Sequence, residues 1–151
     1  MKLHQYLSEE RIRIRLESRQ KEQVIAELAE PLREHPAMED FQKFLADVLS
    51  REQESTTGIG GGVAIPHART DSVKDFVAAV GLAPEGIDFQ AVDGQPVKLI
   101  VLMGVPSHKV NGYLKLLAHL SLLFKQRDFT RNLLEAPDPA AAIETFKRYE
   151  Q

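Results

Sequence analysis

The chain has no cysteine among its 151 residues. It therefore forms no disulfide, offers no thiol nucleophile or cysteine metal site, and suits a reducing compartment. It also lacks a basic excess: 19 Lys and Arg against 22 Asp and Glu leave a formal charge of −3, which argues against nucleic acid as a partner. Long apolar runs are missing too. The longest, Leu99–Val105, is far short of the roughly 20 residues that span a bilayer. The opening MKLHQYLSEERIRIR holds no apolar stretch of signal-peptide length. These absences lead us to expect a soluble, cytoplasmic protein with no direct membrane insertion. Repeats, linkers and low-complexity tracts are absent as well, and the length suits a single domain over 1–151 with a sizeable core.

What is present alternates strand-like and helical patterns. In RIRIRL, Ile12, Ile14 and Leu16 face one way and three arginines the other, the period of a half-buried strand at a sheet edge. SRQKEQVIAELAE has helical spacing, with Ser18 as the expected N-cap and Pro31 as its end. A second amphipathic helix is expected over MEDFQKFLADVLSRE, its apolar face running from Met38 through Phe41, Phe44, Leu45, Val48 and Leu49. DFVAAVGLAP and VKLIVLMGVP are strand-like runs closed by proline, with a turn at Asp93–Gly94 between them. Their continuous apolarity predicts burial on both faces. From Gly112 the leucine spacing is helical, and two short helices follow, with Asp128 and Asp138 near their starts. The expected class is α/β, a single domain with a mixed β-sheet sandwiched by helices.

One stretch gathers chemistry. TTGIGGGVAIPHART, Thr56 to Thr70, concentrates glycine just ahead of His67. The dinucleotide pattern G-x-G-x-x-G fails, because the sixth position from Gly58 is Val63. The Walker pattern fails because no glycine here precedes Lys and Ser or Thr. A metal site is poorly supported: His67 has no ligand partner at helical spacing, although Asp71 is near in sequence. A hydrolase triad has no G-x-S-x-G. Pro66 restricts itself and Ile65, so the pair sets the backbone that presents His67 at the end of a short strand. Glycine N–H groups can form an anion-binding nest. Thr56 and Thr57 add hydroxyls, and Arg51 and Arg69 bracket the loop with positive charge. Neutral imidazole is a nucleophile. From the residues alone, two readings stand: a glycine-rich turn carrying a surface histidine, the simpler one, or a phosphoryl carrier.

The stretch SREQESTTGIGGGVAIPHART resembles the active-site signature of the fructose/mannitol-type IIA domains of the bacterial phosphotransferase system, the nitrogen-regulatory branch included. Arg51–Glu52, Thr56–Thr57–Gly58–Ile59–Gly60, Gly62, Ala64–Ile65–Pro66 and His67 occupy the signature positions. GIDFQAVDGQPVKLIVLMGVP and YLKLLAHLSLLF resemble further segments of that family, so the similarity runs along nearly the whole chain. The resemblance implies an α/β sandwich. It implies that His67 accepts a phosphoryl group from an HPr-type phosphocarrier protein and passes it to a IIB cysteine, with Arg51 pairing the phosphoryl oxygens. Thr56, Thr57, Gly58, Gly60 and Gly62 are the expected phosphoryl-binding residues. No metal or organic cofactor is implied.

There are departures. Where many members carry a second histidine at the start of the leucine-rich helix, this chain has Tyr113. A tyrosine hydroxyl can donate to a phosphoryl oxygen but does not take positive charge. His108, in the preceding loop, is the candidate substitute. His119, about 240° round the helix from Tyr113, is expected to point elsewhere. Ala68 stands at a frequent glycine, and His4 and His35 lie outside every matched motif. The competing function is a regulatory interaction module that binds a kinase, transporter or transcriptional partner.

Overall fold

The computed structural model describes residues 2–126 and 128–151. Its central sheet has six strands: β1 (Ile12–Arg13), β2 (Gly58–Gly60), β3 (Val63–Ala64), β4 (His67–Thr70), β5 (Val77–Ile87) and β6 (Val97–Pro106). The order is β1-β5-β6-β3-β2, with β4 also paired to β6. β5 and β6 are antiparallel, while β1 runs parallel to β5 and both β3 and β4 run parallel to β6, so the sheet is mixed. Five helices flank it: α1 (Lys21–Ala29), α2 (Phe41–Glu54), α3 (Val110–Lys125), α4 (Phe129–Leu134) and α5 (Pro139–Tyr149).

The two long strands carry unbroken apolar runs, Val77–Ala83 in β5 and Leu99–Val105 in β6, because both faces are covered there. Along β5, Val77, Ala79 and Ala83 join one core with Val24, Ile25 and Leu28 of α1 and Phe41, Phe44 and Val48 of α2. Ala78, Val80 and Leu82 point the other way, into a core with Leu116, Leu120, Phe129 and Phe146 from α3, α4 and α5. The result is a three-layer α/β sandwich, as expected.

Local readings shift in four places. β1 lies at a sheet edge but covers only two residues of RIRIRL; the chain rejoins β5 when the Leu16 N–H donates to the Leu82 carbonyl at 2.9 Å. Ser18 does not cap α1, which starts after Gln20. The Glu27 carboxylate instead accepts the backbone N–H groups of Glu17 and Ser18 at 3.0 and 2.9 Å, tethering the chain from inside the helix. Met38 stands outside α2, in a bridge with Val73, because Asp40 caps the helix by accepting from the Lys43 N–H at 3.1 Å. Pro84 does not close β5. It sits where the β5–β6 register shifts between Leu82 and Ile87, an irregularity that tolerates a residue without an N–H. Pro106 does close β6, α3 starts at Val110, and Asp138 caps α5.

Among the described residues no helix is long and apolar enough to cross a membrane. The two ends of the chain meet at Glu150, whose carboxylate accepts from the Leu3 and His4 N–H groups at 2.6 and 2.9 Å.

Candidate active site

β3 and β4 are two pieces of one parallel run along β6, broken at Ile65–Pro66. Ala64 pairs with Ile100 and His67 with Met103. Proline has no N–H to give, so the ladder lapses there, while the Pro66 carbonyl still accepts from Met103 at 3.0 Å. His67 is therefore the first residue of β4, not the last of the preceding strand, and its side chain leaves the sheet at the break.

Ring contacts settle the His67 tautomer. Nδ1 lies 2.8 Å from the Ile65 carbonyl oxygen, which can only accept, so Nδ1 carries the proton. In the neutral ring Nε2 then holds the lone pair, and the Tyr113 hydroxyl, 2.9 Å away, donates to it. Burial pushes the His67 pKa below its ordinary value; the Ile65 contact and Glu52 oppose this, while Arg51 and Arg69 add to it. The imidazole is neutral at pH 7, with its nucleophilic nitrogen turned to Tyr113.

His67 and Tyr113 line a cleft of about 660 Å3 with Lys43, Asp47, Ser50, Arg51, Glu54, Ala68 and Arg69. Arg51, near the end of α2, donates to the Ser55 carbonyl at 3.0 Å. Arg69, two residues past His67, lies over the Tyr113 ring, 5.7 Å from its centroid. Two guanidiniums and Lys43 thus share the cleft with His67, beside the carboxylates of Asp47 and Glu54. The Lys43 ammonium is 2.9 Å from the Asp47 carboxylate, which also accepts from Thr70 at 2.6 Å. Burial would raise the Asp47 pKa, yet these two donors hold it below the ordinary value.

Of the residues expected from the sequence, His67, Arg51 and Tyr113 meet in this cleft. The loop residues lie elsewhere. The Thr57 hydroxyl and N–H both donate to the buried Glu52 carboxylate, at 2.6 and 2.9 Å, and Glu52 pairs with Lys21 at 2.7 Å. The Thr56 hydroxyl donates to the Phe89 carbonyl at 2.7 Å. Gly58 packs so closely on Ala91 that a Cβ would meet it at 2.8 Å. Gly60 and Gly62, with φ of +96° and +81°, turn the β2–β3 hairpin. These five residues are not among those lining the cleft; they tie the loop to the body of the protein and so fix where β3 ends and His67 begins.

His108 lines a separate cleft with Tyr6, Phe76 and Lys109. His119 pairs with Glu150 at 2.5 Å, away from His67, and His4 contacts the same carboxylate at 2.9 Å. Lys43, Asp47, Ser50 and Glu54 were not singled out from the sequence. Their spacing of four, three and four residues along α2 does mark one helix face, and Arg51 borders it. Among the described residues no group of three His, Cys, Asp or Glu is placed to hold a metal ion.

Comparison with known proteins places the chain in a family. Residues 5–149 match the family described as phosphoenolpyruvate-dependent sugar phosphotransferase system, EIIA 2. Over 151 residues the chain is 34% identical to the fructose-specific EIIABC component of Bacillus subtilis, covering all of this chain and 24% of that protein. It is 30% identical over 142 residues to a nitrogen regulatory protein of Pseudomonas aeruginosa, covering 93% of this chain and 92% of that one. The crystal structure of nitrogen regulatory protein IIA-Ntr from Neisseria meningitidis superposes with a TM-score of 0.87 at 27% identity, over 95% of this chain and 98% of that one. The chain thus spans about a quarter of the Bacillus protein and nearly all of the Pseudomonas one. It belongs to the EIIA 2 family of the phosphotransferase system.

Proposed function

We propose that this chain is a phosphocarrier: His67 accepts a phosphoryl group on Nε2 from the phosphohistidine of an HPr-type carrier and hands it to a IIB domain or keeps it as a signal. The observation that carries this reading is the neutral imidazole, its Nδ1–H committed to the Ile65 carbonyl and its lone pair at the mouth of a cationic cleft. The Nε2 pair attacks phosphorus, the donor nitrogen leaves with the electrons of the old N–P bond, and Nδ1 keeps its proton. No proton has to move between residues. Arg51 and Arg69 offset the charge on the phosphoryl oxygens, the main demand of such a transfer. Arg51 leaves its Ser55 contact to do so. The reaction draws on a phosphocarrier of the cytoplasm, where the chain would work.

The nitrogen-regulatory likeness favours a second use of the same site. A protein similar over nearly its whole length to a nitrogen regulatory protein can report its phosphorylation state to a kinase, transporter or transcriptional partner. The test is one incubation with phosphoenolpyruvate, Enzyme I and HPr from one organism, followed by mass spectrometry of acid-labile phosphate. Label on His67 is expected. A chase into IIB cysteine separates relay from signal, and label on another histidine, or none with a competent donor, overturns both.

A further inference from the structure

The Tyr113 hydroxyl contact bears on how His67 is kept until a donor arrives. Because Nδ1 must be the protonated nitrogen, the phenol hydrogen occupies the very lone pair that attacks phosphorus. A new N–P bond lies on that same line and well inside the 2.9 Å now taken by the phenol oxygen. Attack and this hydrogen bond therefore exclude each other. We propose that Tyr113 is a hydroxyl gate on His67: it covers Nε2 in the resting protein, swings off to admit the phosphoryl group, and then donates to a phosphoryl oxygen. This rests on the phosphocarrier reading and adds a positioning residue to it.

Before transfer, the phenol donates to Nε2, and the Arg69 guanidinium lies over its ring, 5.7 Å from the centroid. During transfer, the Nε2 pair forms the new bond, the donor nitrogen takes the old one, and the phenol keeps its proton. Afterwards Nε2 has no lone pair, and the same O–H turns to a phosphoryl oxygen. The phenol has a single O–H, and it serves as the donor at each stage. An imidazole in its place would exchange protons near neutrality.

The two roles push in opposite directions, which makes them measurable. The 151-residue chain and its Tyr113→Phe variant are incubated with phosphoramidate, a small donor that needs no docking surface and releases ammonia. Capture on His67 is followed by phosphorus NMR, and its loss is followed after donor removal. Opening the gate speeds capture, and removing the donor shortens the phosphohistidine lifetime, each by about two- to tenfold, the worth of one neutral hydrogen bond. The His67 Nε2 nitrogen-15 shift moves to that of an unbonded lone pair in Tyr113→Phe while Nδ1 stays, and Tyr113→His, which restores a donor, returns lifetime towards that of the parent. Unchanged capture and lifetime in Tyr113→Phe overturn the gate while leaving the carrier intact. No label on His67 in either folded protein overturns the carrier and the gate together.

Discussion

His67 and the His4–His119 pair are both held by hydrogen bonds, but to partners of opposite kind. His4 and His119 face Glu150, whose side chain is fully buried and whose two oxygens also take the Leu3 and His4 N–H groups. Burial would raise the Glu150 pKa, but the His119 contact and the donors from His4 and Leu3 hold it below its ordinary value, so it is ionised at pH 7. A nitrogen turned to a carboxylate must bring a proton, so these rings serve as links between the chain ends and α3. His67 faces a carbonyl on one side and a phenol on the other, among arginines, so its Nε2 keeps the lone pair on which the proposed transfer depends. What a histidine can do follows from whether its partners demand its protons or leave it a pair.

Replacing His67 should break the comparison hardest. His67→Ala should lose all acid-labile label, while His119→Ala and His4→Ala keep theirs on His67; label retained in His67→Ala would erase the distinction. At the other site, Glu150→Ala should cost about 2 kcal/mol in urea unfolding, because it leaves the buried Leu3 N–H and its other donors without an acceptor. It should leave the labelling rate unchanged, and an effect on labelling with no loss of stability would mean the two regions are not separate. Arg51→Ala should slow capture from phospho-HPr by about ten- to a hundredfold, the worth of a charged hydrogen bond, without shifting the unfolding midpoint.

The smallest effect is the dependence of stability on pH, and there the two regions differ in window. The folded His67 pKa lies below its unfolded value of 6.5, so the unfolded chain binds the proton first and stability falls as pH drops below about 6.5. The folded Glu150 pKa lies below 4.5, so its contribution is present above that pH and is lost as pH falls through the folded value. Urea midpoints from pH 8 to 4 should show a loss between 6.5 and 4.5 to which His35, whose pKa burial also lowers, contributes beside His67, and His67→Gln should reduce it. An unaltered decline in that variant would assign the loss to another group.

Much of the fold was legible because burial leaves a period. The uninterrupted apolar runs of β5 and β6 announced helices on both faces, and the buried face of α2 followed from Phe41, Phe44 and Val48, whereas the leucine spacing of α3 showed a helix but not its face, since Leu114 and Leu122 are exposed. Helix starts were less legible, since the Glu27 carboxylate does at Ser18 what a cap would do, from a residue nine positions away. In the site, the motif led to His67 and Arg51, but it did not tell a glycine that touches a ligand from one that turns a hairpin. Glu52 gave no sign of pairing with Lys21 and Thr57 under the loop, because that network joins α1, α2 and the hairpin only once they pack.

Sequence alone determined that an extended Ile65–Pro66 would present His67 beside arginines, because proline restricts its own backbone and that of its predecessor. It also determined that Tyr113 stands where a second histidine is common. Only the tertiary structure decided which nitrogen of His67 carries the lone pair. The Ile65 carbonyl is two residues away and the Tyr113 hydroxyl 46, and a lone pair is assigned by what surrounds it in space, not along the chain.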